Sequence, residues 1–456
     1  MSKTTDISVP PKEGFVRFCD LDLNDGILRA IADAGFRYCT PIQAAALPPA
    51  LAGRDVAGRA QTGTGKTAAF LIAILDRFVR HPLGRQARAG SAAVPRALII
   101  APTRELVMQI ERDAHALAPY VDLRALALFG GSDLDRQRRK LRAMNPELIV
   151  ATPGRLLDFK TRRDIDLGRV EIMVIDEADR MLDMGFIPDV RRIVRGTPPK
   201  EKRQTLLFSA TLSDDVMRLA ASWLANPVRI DIEPEQVAVD SVRQVLYLAT
   251  AREKFPLLYH LLTTEKPERV LMFVNRRDTA EWLTRELKRY RFDCGLISGA
   301  LSQNHRTRTL AEFREGRLPI LVATDVAGRG LHIDSVSHVI NYNIPEDPED
   351  YVHRIGRTGR AGAKGTSITF ACEEESFGIP PIEEYIGRPL PCEHPDPDWL
   401  TIPDDVAPLR AADVVMPAGT GGDQRRRTGG GGGRSSAGRR PGARRPGRRP
   451  QSGRRR

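Results

Sequence analysis

Two strings constrain this chain more than anything else in it: AQTGTGKT at 60–67 and, 110 residues after Lys66, the apolar run VEIMVI ending in Asp176, Glu177, Ala178 and Asp179. Small residues at Thr62, Gly63, Thr64 and Gly65 let backbone N–H groups wrap a phosphate, Lys66 reaches the β and γ phosphates, and the Thr67 hydroxyl suits magnesium. An apolar strand that ends in a carboxylate brings Asp176 to the same metal ion, and Glu177 then orients or deprotonates an attacking water. Ala60 stands where the general phosphate-loop pattern has glycine. The second string offsets that departure, because it supplies the complementary half of an ATP site in the strand context the chemistry requires.

The rest of the chain must house this site. At 456 residues, 41 % hydrophobic and 28 % charged, the composition fits a soluble α/β protein of two domains and a tail. No apolar run approaches the roughly 18 residues of a membrane helix, and the first residues lack the layout of a secretory signal, so a cytoplasmic location is expected. Five scattered cysteines with no Cys-x-x-Cys spacing suggest neither a zinc site nor a disulfide framework. Charge is uneven. Residues 421–456 hold 13 arginines and one aspartate, which accounts for the whole net charge of +12 and leaves the first 420 residues neutral. That Arg/Gly-rich tail has nothing to nucleate a core and is expected to be disordered.

Short apolar runs alternate with longer amphipathic stretches, the pattern of parallel sheets with helices on both faces. Strands are expected at 96–100, 124–129, 148–151, 172–175 and 205–208, and in a second series at 244–249, 270–274, 294–297, 320–323, 336–341 and 367–370. The acidic segment 231–241 reads as a linker, and 81–96 as a surface loop of the first domain. The expected division is an N-terminal extension 1–17, an ATP-binding domain 18–230, the linker, a second domain 242–395 and a tail 396–456. Function is expected between the domains, since open α/β sheets bind ligands at strand ends.

From about Phe18 to Phe370 the chain resembles the DEAD-box RNA helicases, with that family's motifs in order. The resemblance implies two tandem RecA-like domains, ATP and Mg2+ as cofactors, and RNA bound without strong sequence preference. Gln43, ending GFRYCTPIQ, would read the adenine edge, with Phe18 upstream in the same nucleotide site; a glutamine amide has the donor and acceptor needed. Pro102, Thr103 and Arg104 of PTREL, Gly131 of the Gly130-Gly131 pair, and Thr152, Pro153, Gly154 and Arg155 of TPGR would contact a sugar-phosphate track; telling RNA from DNA requires contacts to 2′-hydroxyls. In the second domain Asn275, Gln303, Arg306 and Thr324 would join them. Asp179, Ser209, Thr211, Asp325, His353 and Arg354 would couple the sites, the last two at the domain interface, while Ser209–Thr211 also reads as the cap of the following helix. Arg357 and Arg360 of YVHRIGRTGR would act as fingers on the γ-phosphate, a role worth about 10³ to 10⁵ in rate.

His332 departs from the family, which mostly places an aspartate there against the ATP ribose; weak nucleotide affinity is the expectation. This residue, with FACEEESFGIPPIEEYI, resembles the RhlB branch, whose members pair with an RNA-degrading, RNase E-like endonuclease; the chain alone would be monomeric. The implied mechanism is local melting of short RNA duplexes by ATP-driven domain closure, in RNA degradation. Other readings stay open on sequence alone: an RhlE-like ribosome-assembly helicase, an ATP-gated RNA clamp or scaffold subunit, or a DNA-directed motor. The tail would tether RNA electrostatically; five arginines on phosphates would give a log–log salt slope of about −3.5, roughly a hundredfold between 50 and 200 mM.

Overall fold

Both apolar series form sheets, and every strand pair in them is parallel. The computed structural model describes residues 9–60, 63–82, 92–232, 242–299, 301–325, 333, 336–359 and 365–416. The first sheet contains β1 (Val56–Arg59), β2 (Ala97–Ile100), β3 (Ala125–Leu128), β4 (Leu148–Ala151), β5 (Ile172–Ile175), β6 (Gln204–Ser209) and β7 (Val228–Asp231), in the order β3-β4-β2-β5-β6-β1-β7. The second contains β8 (Val242–Leu248), β9 (Val270–Val274), β10 (Cys294–Ile297), β11 (Ile320–Thr324), β12 (His338–Asn341), β13 (Gly365–Ala371) and β14 (Cys392–Glu393), in the order β10-β11-β9-β12-β13-β8-β14. Adding seven to each strand of the first order generates the second, so the two halves share one wiring that residue identity does not display. These are two tandem RecA-like lobes.

Helices α1 (Asp25–Asp33), α2 (Pro41–Leu51), α3 (Lys66–Arg80), α4 (Arg104–Ala116), α5 (Leu134–Met144), α6 (Pro153–Thr161), α7 (Ala178–Asp183), α8 (Ile187–Val194) and α9 (Asp214–Trp223) cover the first sheet. Helices α10 (Lys254–Thr264), α11 (Arg277–Arg289), α12 (Gln303–Arg314), α13 (Pro348–Ile355) and α14 (Ile379–Ile386) belong to the second lobe. The period-2 pleat divides each strand between two cores. In β2, Ala97 and Ile99 pack with α1 to α4, and Leu98 and Ile100 with the helices of the opposite face. Strands buried on both faces must be continuously apolar. In β5 the four side chains are at most 1 % exposed, and each such burial stabilises by about 1.5–3 kcal/mol. That burial anchors the carboxylates immediately beyond the strand.

Three strands were not expected from the apolar runs. In β1, Gly58 interrupts the pattern because a Cβ there would lie 2.9 Å from the Phe208 ring on β6. β7 is a partly exposed edge strand, and β14 has only two residues. The described residues all fall within Met1–Thr420, so the expectation for the tail from Gly421, like those for Thr62, His332 and Arg360, lies outside the described residues. Most of the expected linker (233–241) and of the loop at 81–96 (83–91) lies outside them too.

Candidate functional site

Strand order sorts the motifs into two groups. The phosphate loop follows β1, Asp176 and Glu177 follow β5, and Ser209 ends β6; these strands are consecutive neighbours, β5-β6-β1. Residues 102–104, 130–131 and 152–155 follow β2, β3 and β4, which are neighbours in the other half, β3-β4-β2. One half of the sheet thus gathers phosphate chemistry and the other a polar track.

The phosphate loop turns through Gly63 and Gly65, at φ of +88° and +95°, before α3 begins at Lys66. Left-handed backbone of this kind favours glycine, and the turn aims the first N–H groups of α3 at one point. Lys66 is 6 % exposed and donates to the Ala60 carbonyl at 2.5 Å, so its ammonium is held inside the loop. Gln43 is buried: its Nε2 donates to the Gly65 carbonyl at 3.1 Å, and its Oε1 accepts the Thr40 N–H at 2.9 Å. It braces the loop from α2. The adjacent Thr40 hydroxyl is buried without a hydrogen-bond partner, an orphan that a nucleotide could satisfy. Phe18 is 3 % exposed in the apolar core, whereas Phe36, in the loop that delivers Gln43, is 43 % exposed and presents an aromatic face of the kind on which a base stacks. Phe36 lay inside the quoted GFRYCTPIQ string, and only its exposure singles it out.

Burial pushes the Asp176 carboxyl well above the usual carboxylate range; Lys66 opposes that rise and Glu177 adds to it. A carboxylate so placed gains from a further cation; Asp176 and the Thr67 hydroxyl are the groups that would hold a divalent ion. Glu177 takes left-handed backbone (φ +55°), a strained choice for a residue with a side chain, and ion-pairs with Arg180 at 2.5 Å. Asp179 Oδ2 accepts the N–H groups of Ala210 and Thr211 at 2.8 and 2.9 Å, and the Asp179 N–H donates to Ser209 Oγ at 3.1 Å. Burial pushes the Asp179 carboxyl up, but the Thr211 and Arg180 N–H groups, Lys66 and Ser209 outweigh it and hold it below its ordinary value. Ser209–Thr211 therefore ties β6 to α7. The cap of α9 is Ser213, which accepts the Val216 N–H, and not the Ser209–Thr211 string.

From the second lobe, His353 and Arg357 line one cleft with Lys66, Glu177, Asp179 and Arg180. Burial pushes the His353 imidazole down; Glu349 opposes this and Arg357 reinforces it. Arg354 behaves differently from the expected interface residue. It is 2 % exposed and turns into its own lobe, pairing with both Asp325 oxygens at 2.7 and 2.6 Å and donating to Asn275 Oδ1 and the Asn343 carbonyl, each at 2.8 Å. Asn275 Nδ2 donates to the Ile344 carbonyl at 2.7 Å. Arg354 is thus the hub joining the strand ends of β9, β11 and β12.

On the polar track, Thr103 caps α4 and the Arg104 guanidinium lies against Gly131, where any Cβ would collide with it. Arg155 donates to the Ser132 carbonyl at 3.1 Å; Thr152 and Pro153 start α6, and Gly154 faces open space. Thr324, 8 % exposed, ends β11. Gln303 and Arg306 reach the first lobe: Glu105 Oε1 accepts from Gln303 Nε2 at 3.1 Å and from Arg306 Nη2 at 2.9 Å. Glu105 and Arg180 carry contacts that motif reading passed over, although Glu105 sits inside PTREL; a buried carboxylate in need of a partner was the available signal. Among the described residues no helix is long and apolar enough to cross a membrane.

Comparison with known proteins gives a consistent result. The family model described as DEAD/DEAH box helicase matches residues 40–219, and the helicase conserved C-terminal domain matches 253–362. A Pseudomonas putida protein named ATP-dependent RNA helicase RhlB is 55 % identical over 395 residues, covering 87 % of this chain and 98 % of the relative. Its Pseudomonas aeruginosa namesake is 54 % identical over 392 residues, covering 86 % and 98 %. Among solved structures, S. cerevisiae Dbp5 bound to RNA and ADP BeF3 matches with a TM-score of 0.72 at 32 % identity, over 84 % of this chain and 96 % of that one. Mss116p bound to ssRNA and AMP-PNP matches with a TM-score of 0.74 at 29 % identity, over 85 % and 82 %.

Proposed function

The chain belongs to the DEAD/DEAH box helicases, in their RhlB-like branch, and on that premise we propose that it is an ATP-dependent RNA helicase that opens short duplexes locally by closing its two lobes on RNA and ATP. The observation that carries this reading is the shared cleft, in which Lys66 and Glu177 of one lobe face His353 and Arg357 of the other. Neither lobe alone holds the full set.

ATP is the substrate. Lys66 and the N–H groups opening α3 hold its phosphates, and Gln43 recognises the base while bracing the loop. Thr67 and Asp176 would hold Mg2+, whose charge offsets that of the phosphates when bound. Glu177 orients a water and takes its proton as oxygen bonds to the γ-phosphorus; the bond to the β,γ-bridging oxygen breaks, and ADP leaves with that electron pair. Arg357, with Arg360 proposed beside it, stabilises the charge on the transferred group. Asp179, anchored to Ala210 and Thr211, transmits the state of the phosphate site to β6.

RNA runs over the strand ends of β2, β4 and β3 and continues across the second lobe near Gln303, Arg306 and Thr324. Its contacts are to backbone, so it is bound without strong sequence preference. Closure supplies the energy that bends one strand away from its partner, and hydrolysis releases the clamp. A role in cytoplasmic RNA degradation, beside an RNase E-like endonuclease, rests on the RhlB-like branch and extends the same proposal. The test is RNA-stimulated ATPase activity: Arg357→Ala is expected to lower kcat by about 10³ with ATP affinity in the absence of RNA nearly unchanged. An unaltered kcat would overturn the two-lobe site.

A further inference from the structure

The three motif loops of the polar track follow β2, β4 and β3, and β3 is the outer edge of the first sheet. A strand laid over residues 102–104, then 152–155, then 130–131 therefore leaves the lobe past Gly131. The element standing at that exit is α5. It is pinned to the exit loop: Gln137, buried, donates from Nε2 to the Phe129 carbonyl at 3.0 Å and also bonds Ser132 Oγ, while Asp133 caps the helix through the Asp135 and Arg136 N–H groups.

Charge on α5 is split between two flanks. Its sequence, LDRQRRKLRAM, has five cations and one carboxylate. Arg138 and Arg142 converge on Asp164 Oδ1 at 2.8 and 3.1 Å, and Asp164 is 2 % exposed; that flank is consumed in holding the helix down. Arg136, Arg139 and Lys140 are exposed. At spacings i, i+3 and i+4 they are neighbours on one helix surface, beginning about one turn beyond the exit loop. Two acids stand near this end of the helix: Asp135, at i,i+4 from Arg139, and Asp133, which already serves as the helix cap.

We propose that Arg136, Arg139 and Lys140 form an exit ramp that binds the backbone phosphates of RNA extending beyond Gly131, lengthening the bound track on one side only. The proposal rests on the RNA reading above and adds to it a polarity and a length. Three long cations against the single carboxylate of Asp135 leave this surface net positive, and the bonds of Gln137 to the Phe129–Ser132 loop set it beside the end of the track. Phosphate is the ligand chemistry that such a ridge fits.

The test uses the full chain with a non-hydrolysable ATP analogue and three RNAs: the shortest single strand that binds with full analogue dependence, and that strand extended by about ten uridines at either its 5′ or its 3′ end. The triple variant R136Q/R139Q/K140Q is expected to bind the short strand as the wild type does. It loses roughly tenfold affinity at low salt for one extended strand but not the other, with a salt slope shallower by about 1.4 if two phosphate contacts are lost. R136K/R139K, which keeps the charge, retains wild-type affinity. Equal losses on all three RNAs, no loss on any, or unchanged RNA binding with lost affinity for an acidic protein would each overturn the ramp. If the wild type binds none of the RNAs in an analogue-dependent way, the underlying RNA reading fails instead; where it does bind, Arg104→Ala is expected to weaken all three RNAs together, unlike the triple variant.

Discussion

Glu105 and Arg306 meet 2.9 Å apart across the two lobes, with side chains only 9 % and 11 % exposed, and Gln303 donates to the same carboxylate oxygen. A pair this buried is costly to break from one side, because the remaining charge is stranded in a low-dielectric setting. The contact joins the two lobes, so it stabilises their apposition and not the individual lobes. Glu105→Gln and Arg306→Gln are each expected to reduce RNA-stimulated kcat/KM about tenfold, near 1.4 kcal/mol. The double variant should fall short of the sum of the two losses. Thermal stability of the first lobe should be almost unmoved by Arg306→Gln, and a fully additive cycle would refute the direct pairing.

Asp179 and Thr211 divide their roles unequally. The carboxylate accepts two backbone N–H groups at 2.8 and 2.9 Å, whereas the Thr211 hydroxyl lies 3.4 Å away. Asp179→Ala leaves buried donors unpaired and is expected to cost about 1–3 kcal/mol in urea denaturation. Thr211→Ala keeps the N–H bond and should cost well under about 1 kcal/mol.

Two glycines on the proposed RNA track give opposite expectations for stability. Gly131 has φ +75° and no room for a Cβ beside Arg104, so Gly131→Ala should displace that guanidinium, lower stability by about 1 kcal/mol and weaken RNA binding. Gly154 lies in α6 with nothing within 4 Å of an added Cβ. Gly154→Ala should therefore leave the melting temperature unchanged or raise it, since alanine is the better helix former. It should still weaken RNA binding, because the proposed track sets the strand against this bare Cα. Calorimetry and fluorescence anisotropy on the same samples separate the two effects.

Acid should loosen the second lobe through His353. Its folded value is lowered from the ordinary 6.5 by burial, against the pull of Glu349 and with the push of Arg357, Asp179 opposing and Arg180 reinforcing. Between the two values the unfolded chain binds more protons than the folded one, so stability rises with pH through that window and levels off above about 6.5. His353→Gln should flatten this slope. Part of it will persist, because burial also lowers His338, against the pull of Glu265.

Much of this fold was legible in the sequence wherever a strand is buried on both faces. Residues 148–151, 172–175, 270–274 and 294–297 have strand limits that match their apolar runs. β1 was not legible, because its Gly58 is dictated by the Phe208 ring, a contact made 150 residues away. The phosphate-site residues could be picked out because a glycine loop and a paired carboxylate are chemically unusual. The partners of Glu105 and the inward turn of Arg354 could not, since both depend on which strand ends become neighbours. The match between the two strand orders likewise emerges only from pairing.

The central claim is that ATP binding closes the two lobes on RNA and that hydrolysis only resets them. A single-turnover unwinding assay on a short RNA duplex with Glu177→Gln tests this most directly. The variant is expected to melt the duplex once in an ATP-dependent way, keep hold of the released strand and fail to recycle. Loss of all ATP-dependent grip on RNA in a folded, ATP-binding Glu177→Gln protein would contradict it.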